Sequence, residues 1–227
     1  MLIAWQTINA VRRPGSKLFT RGFLIVAPGL TIKDRLRVLL PNDSENYYTT
    51  RELIPQEFGD EIKKASIVIT NYHAFKLRER IDISKGGRQL LKGRTGEDVL
   101  TTETEGQMIQ RVMPGLMGMK GVFVINDEAH HCYRAKPKEA EGEIDALKGD
   151  DKDEAKKNNE AARLWISGIE AVKRRLSVPT VFDLSATPFF LRGSGYAEGT
   201  LFPWIMCDFS LMDAIECGNA QAAARPG

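Results

Sequence analysis

The sequence is short of cysteine, of histidine and of any long apolar run. Its three cysteines, Cys132, Cys207 and Cys217, make no CxxC pair and leave one over in any pairing scheme. That excludes a disulfide scaffold, argues against a zinc ribbon and fits a reducing, cytoplasmic setting. No stretch approaches the roughly 18 unbroken apolar residues of a membrane-spanning helix. The opening run, Met1 to Arg13, has no basic residue ahead of its apolar part and makes a poor signal peptide. Charge of one sign is also scarce, since the formal net charge is only +2. What is present is ordinary for a globular chain: 227 residues, 42% hydrophobic and 27% charged. Disorder throughout and collagen are thereby excluded, and the length is enough to bury a core without metal or disulfides.

The charge is unevenly spread. Residues 1–40 hold seven Lys/Arg against one acid, Asp34, and residues 76–94 hold seven against Glu79 and Asp82. Two basic surfaces of this kind suit a polyanion or are simply solvated faces.

Four short runs rich in β-branched and aromatic residues read as strands: 22–27 (GFLIVA), 65–70 (ASIVIT), 121–125 (GVFVI) and 180–184 (TVFDL). Near-continuous apolar strands point to a parallel sheet covered on both faces. Helical periodicity is expected over 1–11, 31–40, 104–113 and 160–176. Strands alternating with helices predict an α/β, doubly wound parallel sheet. Two polar segments interrupt the alternation, 76–103 and 136–163. The second holds seven basic and nine acidic residues and reads as an exposed helical hairpin or a mobile insertion. Domain 1–216 is followed by a small, Ala-rich tail, 217–227, expected to fray.

In open parallel sheets, ligands gather at the carboxyl ends of the strands. After the third run comes Asn126-Asp127-Glu128-Ala129-His130-His131. Adjacent carboxylates there suit a magnesium–nucleotide site, one holding the ion through its water and the next orienting an attacking water. They equally suit a helix N-terminus, where acids offset the dipole. A metal site from Asp127, His130 and His131 is sterically possible on one turn, but no further Cys or His cluster supports it. After the fourth run comes Ser185-Ala186-Thr187-Pro188, which alone reads as a turn with a proline stop.

DEAH followed about 55 residues later by SATP, each behind an apolar run, is a specific combination. It resembles the first RecA-like motor domain of superfamily 2 DEAD/DEAH helicases, and in particular the helicase-type (Res) subunits of type III restriction enzymes. Ala27-Pro28-Gly29-Leu30-Thr31 resembles motif Ia, and Thr70-Asn71-Tyr72-His73 resembles motif Ib. An anion is favoured by the backbone amides of such a turn, whereas Thr70 and Asn71 are also good helix caps. The resemblance covers residues 1–216. It implies ATP and Mg²⁺ as cofactors, double-stranded DNA as partner and a modification (methyltransferase) subunit alongside. It implies Asp127 on Mg²⁺, Glu128 as base or water-orienting group, and His130 sensing the γ-phosphate and linked to Ser185, Ala186 and Thr187. Pro28, Gly29, Thr31, Thr70 and Asn71 would line the DNA path. His131 receives no role and reads as a surface or packing residue.

The pattern breaks at both ends: the second motor domain that the resemblance implies does not follow the 1–216 domain, and the front lacks its phosphate motif. A phosphate loop, GxxxxGK[ST], is absent: neither Gly15-Ser16-Lys17, nor Gly86-Gly87-Arg88, nor Gly93-Arg94-Thr95-Gly96 satisfies it. Met1–Val11 resembles the helix that follows that loop. The expectation is therefore a RecA-like P-loop NTPase domain without its first strand and phosphate loop, the middle of a longer protein. As an alternative, the chain is a DNA-binding remnant without ATPase activity.

Overall fold

The computed structural model describes residues 1–78, 102–119, 121–132, 150–186, 205–209 and 211–217. Most of the expected insertion at 76–103, the first half of that at 136–163, Thr187 and most of the 217–227 tail lie outside the described residues.

The element order is α1 (Leu2–Arg12), β1 (Gly22–Ala27), α2 (Leu30–Arg35), α3 (Tyr47–Thr50), α4 (Gly59–Ile62), β2 (Ser66–Asn71), α5 (Glu105–Val112), β3 (Val122–Asn126), α6 (Asp150–Arg175), β4 (Thr180–Asp183) and α7 (Leu211–Glu216). The four strands form one all-parallel sheet in the order β2-β1-β3-β4. The register runs level: Val26 pairs with Thr70 on one side and Asn126 on the other, and Asn126 pairs with Asp183. The carboxyl ends of all four strands therefore share one edge. The α/β reading is met.

The period of two along β1 explains why helices cover both faces. Leu24 and Val26 point to one side, where Met108 and Ile109 of α5 and Trp165, Ile169 and Val172 of α6 pack on them. Phe23 and Ile25 point to the other, against Ile3 and Ala4 of α1 with Tyr48 and Ile62. Every residue of β1 is buried, as a central strand requires. An aromatic row crosses the second face: Phe23 lies 6.2 Å from Phe123, which stacks on Phe182 at 4.9 Å.

Local signals set the helix ends. Thr104 and Gln107 close a capping box on α5, satisfying two amide donors that the helix itself cannot. Arg12 in the last turn of α1 pairs with Glu61 at 3.2 Å and lies over the Phe58 ring at 4.3 Å, tying α1 to the segment before β2.

The helices depart from expectation in two places. The helix expected over 31–40 is α-helical only to Arg35 and tightens into a 3₁₀ turn over Leu36–Leu39. The helix expected from residue 160 begins at Asp150, so the second half of the charged 136–163 segment is the start of α6. The reason is compositional. Between Gly149 and Gly168 there is neither glycine nor proline, and the Asp residues of the first turn suit a helix N-terminus. A charge run foretells solvent exposure, not loss of helix. Gly168 has a packing reason: a Cβ there would run into the Phe75 ring and come within 2.7 Å of the Phe75 Cβ. Among the described residues no helix is long and apolar enough to cross a membrane.

Candidate functional site

The level register assembles the candidate residues along one edge. In order across the sheet they are Thr70 and Asn71 at β2, Pro28, Gly29 and Thr31 behind β1, Asp127, Glu128 and His130 behind β3, and Ser185 and Ala186 behind β4. With neighbouring strands about 4.8 Å apart, this edge is roughly 15 Å wide.

The turn after β3 is held from both sides. Asp127 donates its amide to the Val26 carbonyl of β1 at 2.8 Å. Ala129 donates to Leu184 O at 2.9 Å, and Leu184 donates to Asn126 O at 2.8 Å. Between these anchors Glu128 adopts φ 52°, ψ 45°, left-handed backbone in a residue with a Cβ. Such a conformation costs about 1–2 kcal/mol and persists only where flanking contacts impose it. Glu128 stands at the N-cap of a short 3₁₀ turn, Ala129–His131, yet its side chain accepts no capping bond. The Glu128 carboxylate is therefore not spent on capping this turn.

His130 joins the two motifs. Its Nδ1 lies 2.8 Å from the Ser185 hydroxyl oxygen, across 55 residues of sequence, and 3.4 Å from a Glu128 carboxylate oxygen. Its side chain is only 10% exposed. Burial, with His131 beside it at 4.0 Å, holds the His130 pKa below the usual imidazole value, against the opposing pull of Glu128. Asp127 shifts the other way. Burial first, and then the neighbouring Glu128 carboxylate, raise its pKa, partly offset by a backbone hydrogen bond from Glu128. Asp127 thus holds its negative charge at a cost that a cation would relieve. Among the described residues no three His, Cys, Asp or Glu side chains converge closely enough to form a metal cage. One carboxylate reaching an ion through water needs no such cage.

Beneath the acid pair is a layer that sequence reasoning passed over. Asn126, 1% exposed, donates from Nδ2 to Asp183 Oδ1 at 2.9 Å and to the Cys132 sulfur at 3.0 Å. Burial pushes the Cys132 thiol up to about 12, so it stays protonated. Asn126 Oδ1 is buried without a donor. The available signal was Asp183, an acid inside the apolar run TVFDL and level with Asn126.

The β1 and β2 ends carry the expected DNA-facing residues with mixed results. Gly29 is extended at the N-cap of α2 and would tolerate a Cβ, with nothing within 4 Å. Pro28 and Gly29 are half-buried, and Thr31 is exposed. Thr70 and Asn71 fall within β2, not behind it. Thr70 is 5% exposed, its hydroxyl donating to Asn71 O at 3.3 Å. Asn71 Oδ1 accepts from the Ala74 amide at 3.2 Å and so caps the 3₁₀ turn Tyr72–Phe75. The capping role weighed for Asn71 is present; Thr70 faces inward.

Comparisons with protein-family models, with curated proteins and with solved structures give no match.

Proposed function

We propose that this chain is part of the first RecA-like motor domain of an ATP-dependent DNA translocase or helicase of the type III restriction class. The observation that carries the reading is the His130–Ser185 contact at 2.8 Å. It couples the two motifs on which the resemblance rests, at the edge of the sheet where nucleotides bind in open parallel folds. Sheet order supports it as well. In RecA-like domains the strand bearing the phosphate loop stands beside the strand that ends in Ser-Ala-Thr. Here that strand is β4, at the end of the described sheet, with Val181 40% and Leu184 49% exposed.

On this reading Asp127 would hold Mg²⁺ through water, and the ion would neutralise phosphate charge. Glu128, half-exposed and fixed in direction by its left-handed backbone, would orient and deprotonate the attacking water. His130, neutral at pH 7, would pass the state of the γ-phosphate to Ser185. Duplex DNA would run past Pro28, Gly29 and Thr31, with a modification (methyltransferase) subunit as a partner.

A second reading has its own observation. These 227 residues contain no GxxxxGK[ST], so the phosphate cradle is missing and Asp127 and Glu128 alone would grip Mg²⁺–ATP weakly. A DNA-binding remnant without ATPase fits that fact. The coding DNA about 150 nucleotides upstream of Met1 separates the two. An in-frame GxxxxGK[ST] supports the motor; unrelated sequence or a stop codon supports the remnant.

A further inference from the structure

The loops that lead into the strands form a half-open concavity, at the end of the sheet opposite the candidate site. A six-residue strand sets it about 20 Å from Asp127. Its volume is about 480 Å³, inside the roughly 300–1,000 Å³ range of small-molecule sites. Val11, Pro14, Phe19 and Met119 give it an apolar wall, and Arg21 and Lys64 supply two cations. No acid lines it.

The walls are fixed by hydrogen bonds. Thr20 donates its amide to Gln6 Oε1 at 3.0 Å and its hydroxyl to Gly121 O, and its hydroxyl oxygen accepts from the Gly22 amide at 3.0 Å. One threonine thus clamps α1, the entry to β1 and the entry to β3 together. Arg21 is pinned through its carbonyl to the Ser66 amide at 2.7 Å, and Lys64 through its amide to Glu61 O at 3.1 Å. Neither side chain has a carboxylate partner among the described residues, so both charges are available to an anion in the concavity. Two uncompensated cations beside an apolar wall concentrate positive potential where an anion can also shed water.

We propose that this concavity binds a small organic anion. Its phosphate or carboxylate group sits between Arg21 and Lys64, and its apolar body lies against Val11, Pro14, Phe19 and Met119. The site is independent of the motor reading, because no residue at the carboxyl edge takes part.

The test is calorimetric titration with four probes: phenyl phosphate, benzoate, phenol and inorganic phosphate. Amide shifts of Gly118 and Gly121 locate the binding. Saturable binding of phenyl phosphate or benzoate is expected, and the tighter of the two names the head group. Arg21→Gln and Lys64→Gln should each weaken it about tenfold, the worth of one charge-assisted hydrogen bond. Both side chains are exposed, so melting temperature should stay unchanged, and Lys33→Gln should leave affinity unchanged. The proposal fails if neither aromatic anion saturates. It also fails if phenol or inorganic phosphate binds as tightly as the aromatic anions, or if both cation variants keep full affinity.

Discussion

Replacing Gly168 by alanine tests how α6 is seated on the sheet. In an open helix position the change stabilises by about 1 kcal/mol, because alanine is the better helix former. At Gly168 the new methyl would overlap the Phe75 ring and lie 2.7 Å from its Cβ. Phe75 is 2% exposed, and its Cβ is fixed to the 3₁₀ turn behind β2, so ring rotation alone cannot relieve the overlap. Overpacking of this kind costs about 1–3 kcal/mol, and complete expulsion of a buried phenylalanine about 3–5. Set against the helix gain, the expected net loss is about 2 kcal/mol. For a domain of this size that is a fall of about 4–8 °C in melting temperature. Gly106 in α5 is the control: its Cβ would meet only Arg175 Cζ at 3.9 Å, so Gly106→Ala should raise the midpoint by about 2–4 °C. In a Phe75→Ala background, Gly168→Ala should no longer destabilise, a coupling that a double-mutant cycle reads directly. Scanning calorimetry on the four variants suffices. If Gly168→Ala alone matched or exceeded the parent midpoint, the seating of α6 on Phe75 would be refuted.

Three further outcomes follow from the carboxyl edge and β4. Asp127→Asn should stabilise the chain at pH 7, because the raised pKa means the folded state holds this charge at a cost. The gain should vanish below about pH 3.8, where both states are protonated, and denaturant midpoints measured against pH check it. For His130 the sign is opposite. Its depressed pKa makes stability fall as pH drops below 6.5 and level off beneath the folded pKa, and His130→Gln should flatten that slope. Val181→Lys on β4, the last strand of the sheet among the described residues, should leave stability within about 0.5 kcal/mol and reduce concentration-dependent self-association in sedimentation, since charge blunts a strand edge.

The strands were legible because each combines β-branched residues with turn-forming flanks; GFLIVA matches β1 residue for residue. The alternation of strands and helices carried the sheet class. Strand order was not legible, since β3 joins the far side of β1 from β2 through contacts such as Phe23–Phe123 that lie 100 residues apart. At the site, Asp127, Glu128, His130 and Ser185 were visible as runs behind strands. The left-handed Glu128 was not, because tertiary anchors at Val26 and Leu184 impose it. Asn126 escaped notice for a related reason: its partners Asp183 and Cys132 become neighbours only when β3 and β4 align. Thr70 shows the converse. A hydroxyl at a strand end suggests exposure, yet the packing of β2 on β1 buries it.

The central claim is that Asp127, Glu128, His130 and Ser185 belong to an ATP-driven motor. The most direct measurement is DNA-stimulated ATP hydrolysis by the full open reading frame in which this chain lies, with and without Glu128→Gln. The account predicts turnover that rises with duplex DNA and falls at least about 10²-fold in the variant, the scale of a lost general base. Absence of ATP turnover, or turnover indifferent to Glu128→Gln, would contradict it.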